Sequence, residues 1–194
     1  MILVTLSFVS IGARSGDLTL AVNALIMQLF ILFSYFMDGI AFAGEALVGK
    51  LVGEGNHRMR HNCVKHLMVW GALVMTLYAT AYTLLPRQIF TLLTSDAAVV
   101  TAAVGYRWWC LAIPLASMAA FVWDGVFIGQ TDTRGMLLAV MSASATFFAI
   151  YFLLPVPQGN NRLWLAFIAY LAMRSIMQTI IWLTKEKKIA HKIA

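Results

Sequence analysis

Asp38 and Glu45 stand seven residues apart in the stretch SYFMDGIAFAGEALVGKLVGEG (Ser34–Gly55), whose other residues are mostly apolar or small. A charged side chain at the centre of a bilayer costs at least ~2.5–3.5 kcal/mol on insertion scales, so an acid inside an apolar span reads first as a functional group facing protein or water. At about 100° per residue, Asn23, Ser34, Asp38, Ala41, Glu45 and Gly49 fall within roughly 80° of one another on a helix. The costly groups share one face, and Leu, Ile, Phe and Met cover the rest. That arrangement is expected of a helix that lines a polar pathway and turns its apolar side to lipid. The structural alternative is that both acids pair with buried arginines and hold a bundle together.

A second series at sevens, Ser117, Asp124 and Thr131, ends close to a polar loop. Asp124 is therefore read either as a further acid of the transport pathway or as a structural one that caps its helix or pairs with loop bases. Arg107 and Arg174 are the bases set deepest in apolar sequence, and Arg174 shares a helix face with Tyr170 and Gln178. An unpaired guanidinium at that depth is prohibitive, so Arg174 is expected within hydrogen-bonding reach of Asp38, Glu45 or Asp124. Three GxxxG patterns, at Gly12–Gly16, Gly49–Gly53 and Gly125–Gly129, point to close helix packing. Gly39 follows Asp38, as Gly125 follows Asp124.

Other reactive types form no constellation. His57, His61 and His66 lie in a basic stretch, GEGNHRMRHNC, with no acid or thiol geometry around them, and read as loop decoration rather than a metal site. Cys63 and Cys110 lack paired-ligand spacing and read as ordinary thiols. No nucleophile elbow, phosphate loop or HExxH is present, so neither an enzyme nor a cofactor is expected. Most of the methionines and phenylalanines read as lipid-facing bulk, a minority as the lining of an adaptable pocket.

The elements that position these residues follow from composition. Of the 194 residues 61% are hydrophobic and only 11% charged, whereas a soluble domain carries about 25% charged residues. The reading is an all-α, polytopic membrane helix bundle, one transmembrane domain over 1–194, with about five full spans and a truncated first one. Met1–Gly12 covers only ~18 Å of a ~30 Å hydrocarbon core and reads as the second half of a helix. Further helices are expected at about Thr19–Val52, Val64–Leu85, Ala97–Ile128 with a kink at Pro114, Met136–Leu154 and Leu163–Thr184. Pro86–Asp96 is expected along the interface, with Thr94 or Ser95 capping the following helix, and KEKKIAHK as a basic tail. No cleavable signal is visible in Met1–Ile11.

The net charge of +6 does not indicate a nucleic-acid partner, because the bases are dispersed over short loops. Lys50, Arg58, Arg60, Lys65, Arg134, Lys185, Lys187, Lys188 and Lys192 fall on one side, and Arg14, Arg87 and Arg162 on the other. The basic side, with the C-terminus, is expected in the cytoplasm. Trp164 and Trp182, ~27 Å apart at the helical rise, are expected as an aromatic belt at the two interfaces.

YFMDGIAFAGEALVGKLVGEGN and WWCLAIPLASMAAFVWDGVFIGQTDTRGM, in that order and spacing, resemble the multidrug and toxic compound extrusion (MATE) transporters, specifically their DinF-like branch. The resemblance runs over essentially the whole chain. It implies half of a twelve-helix fold, the C-terminal six-helix lobe, with the N-terminal lobe or a partner half absent. It also implies an antiporter of the bacterial cytoplasmic membrane that expels amphipathic, often cationic, compounds, driven by a proton or sodium ion. The DG…EAL motif carries over at Asp38, Gly39, Glu45, Ala46 and Leu47, and the DGxFIG motif at Asp124–Gly129. No cation site carries over: the first helix has no carboxylate, and Asp124 does not match the fourth-helix acid of the sodium-coupled branch. The alternatives are a lipid-linked saccharide flippase of the same superfamily, or a non-transporting remnant or interaction module with an exposed small and polar face on its first two helices.

Overall fold

The computed structural model describes residues 2–154 and 159–193. Among them the chain forms helices only: α1 (Ile2–Gly12), α2 (Asp17–Gly53), α3 (His57–Leu84), α4 (Pro86–Leu93), α5 (Ala97–Gly105), α6 (Arg107–Gly129), α7 (Thr133–Leu153) and α8 (Asn160–Ile193). Five of them, α2, α3, α6, α7 and α8, are long and apolar enough to cross a membrane. The protein is a multi-pass membrane helix bundle. The Pro155-Val-Pro157 stop lies outside the described residues.

Several boundaries differ from the sequence reading. The expected basic loop after α2 shrinks to Glu54–Asn56, because Asn56 accepts a hydrogen bond from the Met59 amide and starts α3 at His57. His57, Arg58, Arg60 and His61 are therefore helical. Asp96, rather than Thr94 or Ser95, caps α5, its Oδ1 accepting from the Ala98 and Val99 amides at 2.8 and 3.3 Å. The expected Ala97–Ile128 helix divides at Tyr106, after Gly105, and Pro114 lies within the continuous α6. Glycine weakens a helix through its backbone entropy, and the Tyr106 amide turns back to Ala103 at 2.9 Å in a tighter three-residue loop. Thr131 is in the α6–α7 turn with φ 56°, so the stripe at sevens ends at Asp124. The expected basic tail continues α8 to Ile193.

The largest interface joins α2 to α6, and α8 packs against both α6 and α7. Its rings interlock at the centre: Phe30 meets Phe121 and Phe167 at centroid separations of 6.2 and 5.5 Å, and Phe8 meets Trp164 at 4.7 Å. A Cβ on Gly125 would lie 2.0 Å from the Ala41 carbonyl oxygen, and one on Gly129 2.6 Å from that of Glu45. Backbone thus meets backbone, and the DG…EAL and DGxFIG segments are packing partners. Gly49 shares that contact, 3.3 Å from the Gly129 carbonyl, whereas Gly16, Gly39 and Gly53 have no heavy atom within 4 Å of a built Cβ. The GxxxG reading holds for Gly12, Gly49, Gly125 and Gly129, and not for Gly16 and Gly53.

The tryptophans depart furthest from expectation. Trp164 and Trp182 are 0% and 4% exposed, so they are core residues and not an interfacial belt. Trp164 donates to Asn23, and Trp182 lies 5.2 Å from Trp123 and under the Arg60 guanidinium at 5.1 Å. The Trp164 N–H finds its acceptor inside the bundle, and the Trp182 ring is packed among other side chains. Nor is the exposed face of α1 and α2 mainly small and polar. It carries Leu3, Leu6, Tyr35, Phe36 and Phe42 beside Ser10 and Gly39.

Candidate functional site

α6 presents Asp124 one residue before its closest approach to α2, on the flank turned towards α8. There Arg174 donates through Nη2 to Asp124 Oδ2, and Gln178 Nε2 donates to Oδ1 at 2.8 Å. Both oxygens of the acid are engaged from consecutive turns of α8. Arg174 and Gln178 are 6% and 0% exposed, so the base is shielded from water, while Asp124 is half-buried. The acid partner foreseen for Arg174 is thus Asp124, held across helices rather than by loop bases. Neighbouring helices hide the charge, as an intramembrane guanidinium requires.

Tyr170, one turn before Arg174, is fully buried, and its hydroxyl has no hydrogen-bond partner among the described residues; the same holds for Gln178 Oε1. Two polar atoms therefore border the ion pair with capacity left over. Asp38, on α2, lies within electrostatic range of both Asp124 and Arg174, and Tyr170 within range of the same two. The arrangement gathers one base and two acids from α2, α6 and α8, with Asp124 bonded to Arg174 and Asp38 coupled to both through the field alone among the described residues. Asp38 can gain or lose a proton or a cation without breaking the Asp124–Arg174 bond, yet either event changes the field at that pair.

The remaining expected residues fall elsewhere. The buried side of α2 is apolar, built from Ile26, Phe30, Phe33, Met37, Gly44 and Val48. Ser34, Asp38, Glu45 and Gly49 run half-buried along its flank. The apolar side therefore faces the bundle, and the polar stripe sits at the edge of the interface rather than at its centre. Ser34 bonds its own Ile31 carbonyl at 2.7 Å, and Glu45 forms no ion pair among the described residues.

Asn23 joins a separate clasp. It exchanges amide hydrogen bonds with Asn160 at 2.7 and 2.8 Å and accepts from Trp164 Nε1 at 2.9 Å, all buried. Arg107 is exposed, stacked 5.0 Å over Trp108 at the start of α6, so it is not one of the deep bases. The buried ones besides Arg174 are Arg60 and Arg162.

Arg60 was hidden from the sequence by the loop reading. Once α3 begins at His57, Arg60 pairs with Glu186 of the extended α8, and His61 approaches the same carboxylate at 3.8 Å. Lys185 pairs with Asp132 after α6, and Asp132 also caps α7 by accepting from the Gly135 amide at 3.2 Å. The histidines are thus helical with one acid in reach of His61. Among the described residues no group of three or more His, Cys, Asp or Glu converges as metal ligands would.

Comparison with known proteins places this geometry. The profile of the MatE family matches residues 1–154. The chain is 32% identical over 172 residues to DNA damage-inducible protein F of Escherichia coli (strain K12), covering 89% of this chain and 37% of that protein. It is 24% identical over 168 residues to Protein DETOXIFICATION 43 of Arabidopsis thaliana, covering 86% and 32%. Against Protein DETOXIFICATION 44, chloroplastic, of the same plant, the identity is 20% over 168 residues. The chain spans about a third of the length of these curated relatives, by their printed coverage of 37%, 32% and 32%.

Proposed function

The chain belongs to the MATE family, on its DinF-like branch, and from that premise we propose that it is the C-terminal six-helix lobe of an antiporter that expels amphipathic, often cationic, compounds. The inward-driven ion is a proton or sodium, and the lobe works against an N-terminal lobe or partner half. The observation that carries the reading is the Asp124–Arg174–Gln178 bond set, with Asp38 on another helix in electrostatic range of it. Occupation of Asp38 by a proton or cation changes the balance of charge around Arg174. That change biases the packing of α2 against α6 and α8, and a ligand-dependent bias between two packings is what alternating access needs.

Glu45, Ser34, Tyr170 and Gln178 belong to the same pathway wall in this reading, while Asn23 holds α2 to α8. Gly39 would face an N-terminal lobe or partner half. Gly49, Gly125 and Gly129 keep α2 and α6 close enough for Asp38 to sense Asp124. The membrane is the bacterial cytoplasmic one, with the C-terminus in the cytoplasm. In support, Arg60–Glu186 and Lys185–Asp132 tie together the ends of the bundle that carry most of the bases.

The test is dye extrusion in vesicles of cells producing the intact transporter. Asp38→Asn is expected to abolish the pH or sodium dependence of extrusion while the protein remains in the membrane. Unchanged extrusion with unchanged ion dependence in Asp38→Asn and Glu45→Gln would make both acids structural.

A further inference from the structure

A large cavity lies away from the acid cluster. It lies between α1, α7 and α8, at the end of the bundle away from the Arg60–Glu186 pair, and has a volume of about 790 Å³. That falls in the ~300–1,000 Å³ range of small-molecule sites. We propose that this cavity binds an amphipathic anion, a molecule with one anionic head on an aromatic or acyl body.

The lining is two-sided. Ser7, Ser10 and Arg14 follow one another at three- and four-residue spacing along α1 and the turn after it, so a line of hydroxyls ends in a guanidinium. Among the described residues none of the three side chains has a hydrogen bond or ion pair within the protein. Opposite stand Phe148, Tyr151 and Phe152 of α7, an apolar wall suited to a ring or chain.

Charge decides the sign of the guest. Among the described residues no carboxylate lines the cavity, and Asp17, the nearest acid in sequence to Arg14, is not in the lining. A second guanidinium, that of Arg162, stacks 5.5 Å from the Tyr151 ring centroid. Arg162 is itself buried, and its Nε lacks a hydrogen-bond partner among the described residues. A cation entering would meet the Arg14 charge, with that of Arg162 behind the Tyr151 ring, and no counter-charge among the described lining residues. An anion gains a charge-assisted bond to Arg14 and two hydroxyl donors, and the low-dielectric walls concentrate the positive field. The inference concerns binding at equilibrium and stands whether or not the acid cluster couples ions.

The experiment titrates the purified 194-residue chain, in phosphatidylcholine nanodiscs, with the fluorescent anion anilinonaphthalene sulfonate. Saturable binding is expected, weakened about tenfold by Arg14→Gln, as for loss of one charge-assisted bond, and largely restored by Arg14→Lys. Tyr151→Ala should weaken it as well, with Arg14 intact. Rhodamine 6G, a cationic dye, should not displace the probe. Displacement by phosphatidylglycerol added to the discs assigns the site to a lipid headgroup. Displacement by free naphthalene sulfonate without competition from that lipid assigns it to a solute, and either result supports an anion site. Affinity unchanged in Arg14→Gln, or equal displacement by the cationic dye, overturns the proposal.

Discussion

Two of the polar seams that join α8 to the rest of the bundle are built on opposite terms. At one end Asn23, Asn160 and Trp164 form a neutral, buried clasp in which each amide both gives and receives and the indole N–H has its acceptor. In the middle, Asp124, Arg174 and Gln178 form a charged set bordered by a Tyr170 hydroxyl and a Gln178 oxygen that have no partner among the described residues. A closed neutral network rigidifies and has nothing left to bind. A charged one with spare polar atoms and a second acid, Asp38, in electrostatic range can change state. The difference separates what holds the helices from what can respond to an ion.

Removing Arg174 should have the largest effect on this contrast. Arg174→Ala leaves the half-buried Asp124 without its counter-charge, a loss of up to about 3–5 kcal/mol, the range for a broken buried pair, read as a large drop in unfolding midpoint in detergent. The neutral pair Asp124→Asn with Arg174→Gln should recover most of that stability while ion-dependent extrusion stays lost. Full recovery of both would mean that the charged seam is another clasp.

Gly125→Ala comes next. Its new methyl would meet the Ala41 carbonyl at 2.0 Å, and backbone cannot yield as a side chain does, so about 1–3 kcal/mol of overpacking is expected. Because α6 must then retreat from α2, coupling between Asp38 and Asp124 in a double-mutant cycle should fall as well. Asn23→Ala should cost about 1–3 kcal/mol, since it leaves the Asn160 amide and the Trp164 N–H unsatisfied, and should leave ion dependence untouched. An altered ion dependence there would erase the distinction between the seams.

The smallest effect belongs to Gly39→Ala. Gly39 is exposed with open space around a Cβ, so in this chain the substitution should stabilise α2 by about 0.5–1 kcal/mol through helix propensity. A loss of stability in the intact transporter but not in this chain would place a partner lobe against Gly39.

Much of this was readable from residues alone, and the failures share a cause. The seven-residue spacing of Asp38 and Glu45, the need of Arg174 for an acid, and five spans all follow from helical period and the cost of charge in lipid. Period fixes which residues share a face, but not which way that face points. The glycines at 125 and 129 bring α6 down on the Ala41–Gly49 side of α2. The acids are thereby left on the flank, and Ile26, Phe33 and Met37 are buried. Trp164 and Trp182 show the same limit, since their spacing fits an interfacial belt and only their partners Asn23 and Trp123 reveal the core. Arg60 was legible only after Asn56 was known to cap α3. The anion cavity depends on α1 and α7 meeting α8, a tertiary fact with no local signature.

The central claim is that the charged seam, and not the neutral one, carries ion coupling. Its most direct test is proton or sodium movement accompanying dye extrusion by the intact transporter in liposomes, compared between Asp38→Asn and Asn23→Ala. The account predicts that Asp38→Asn loses the coupled ion movement while Asn23→Ala retains it per dye extruded. Undiminished ion movement in Asp38→Asn would contradict it.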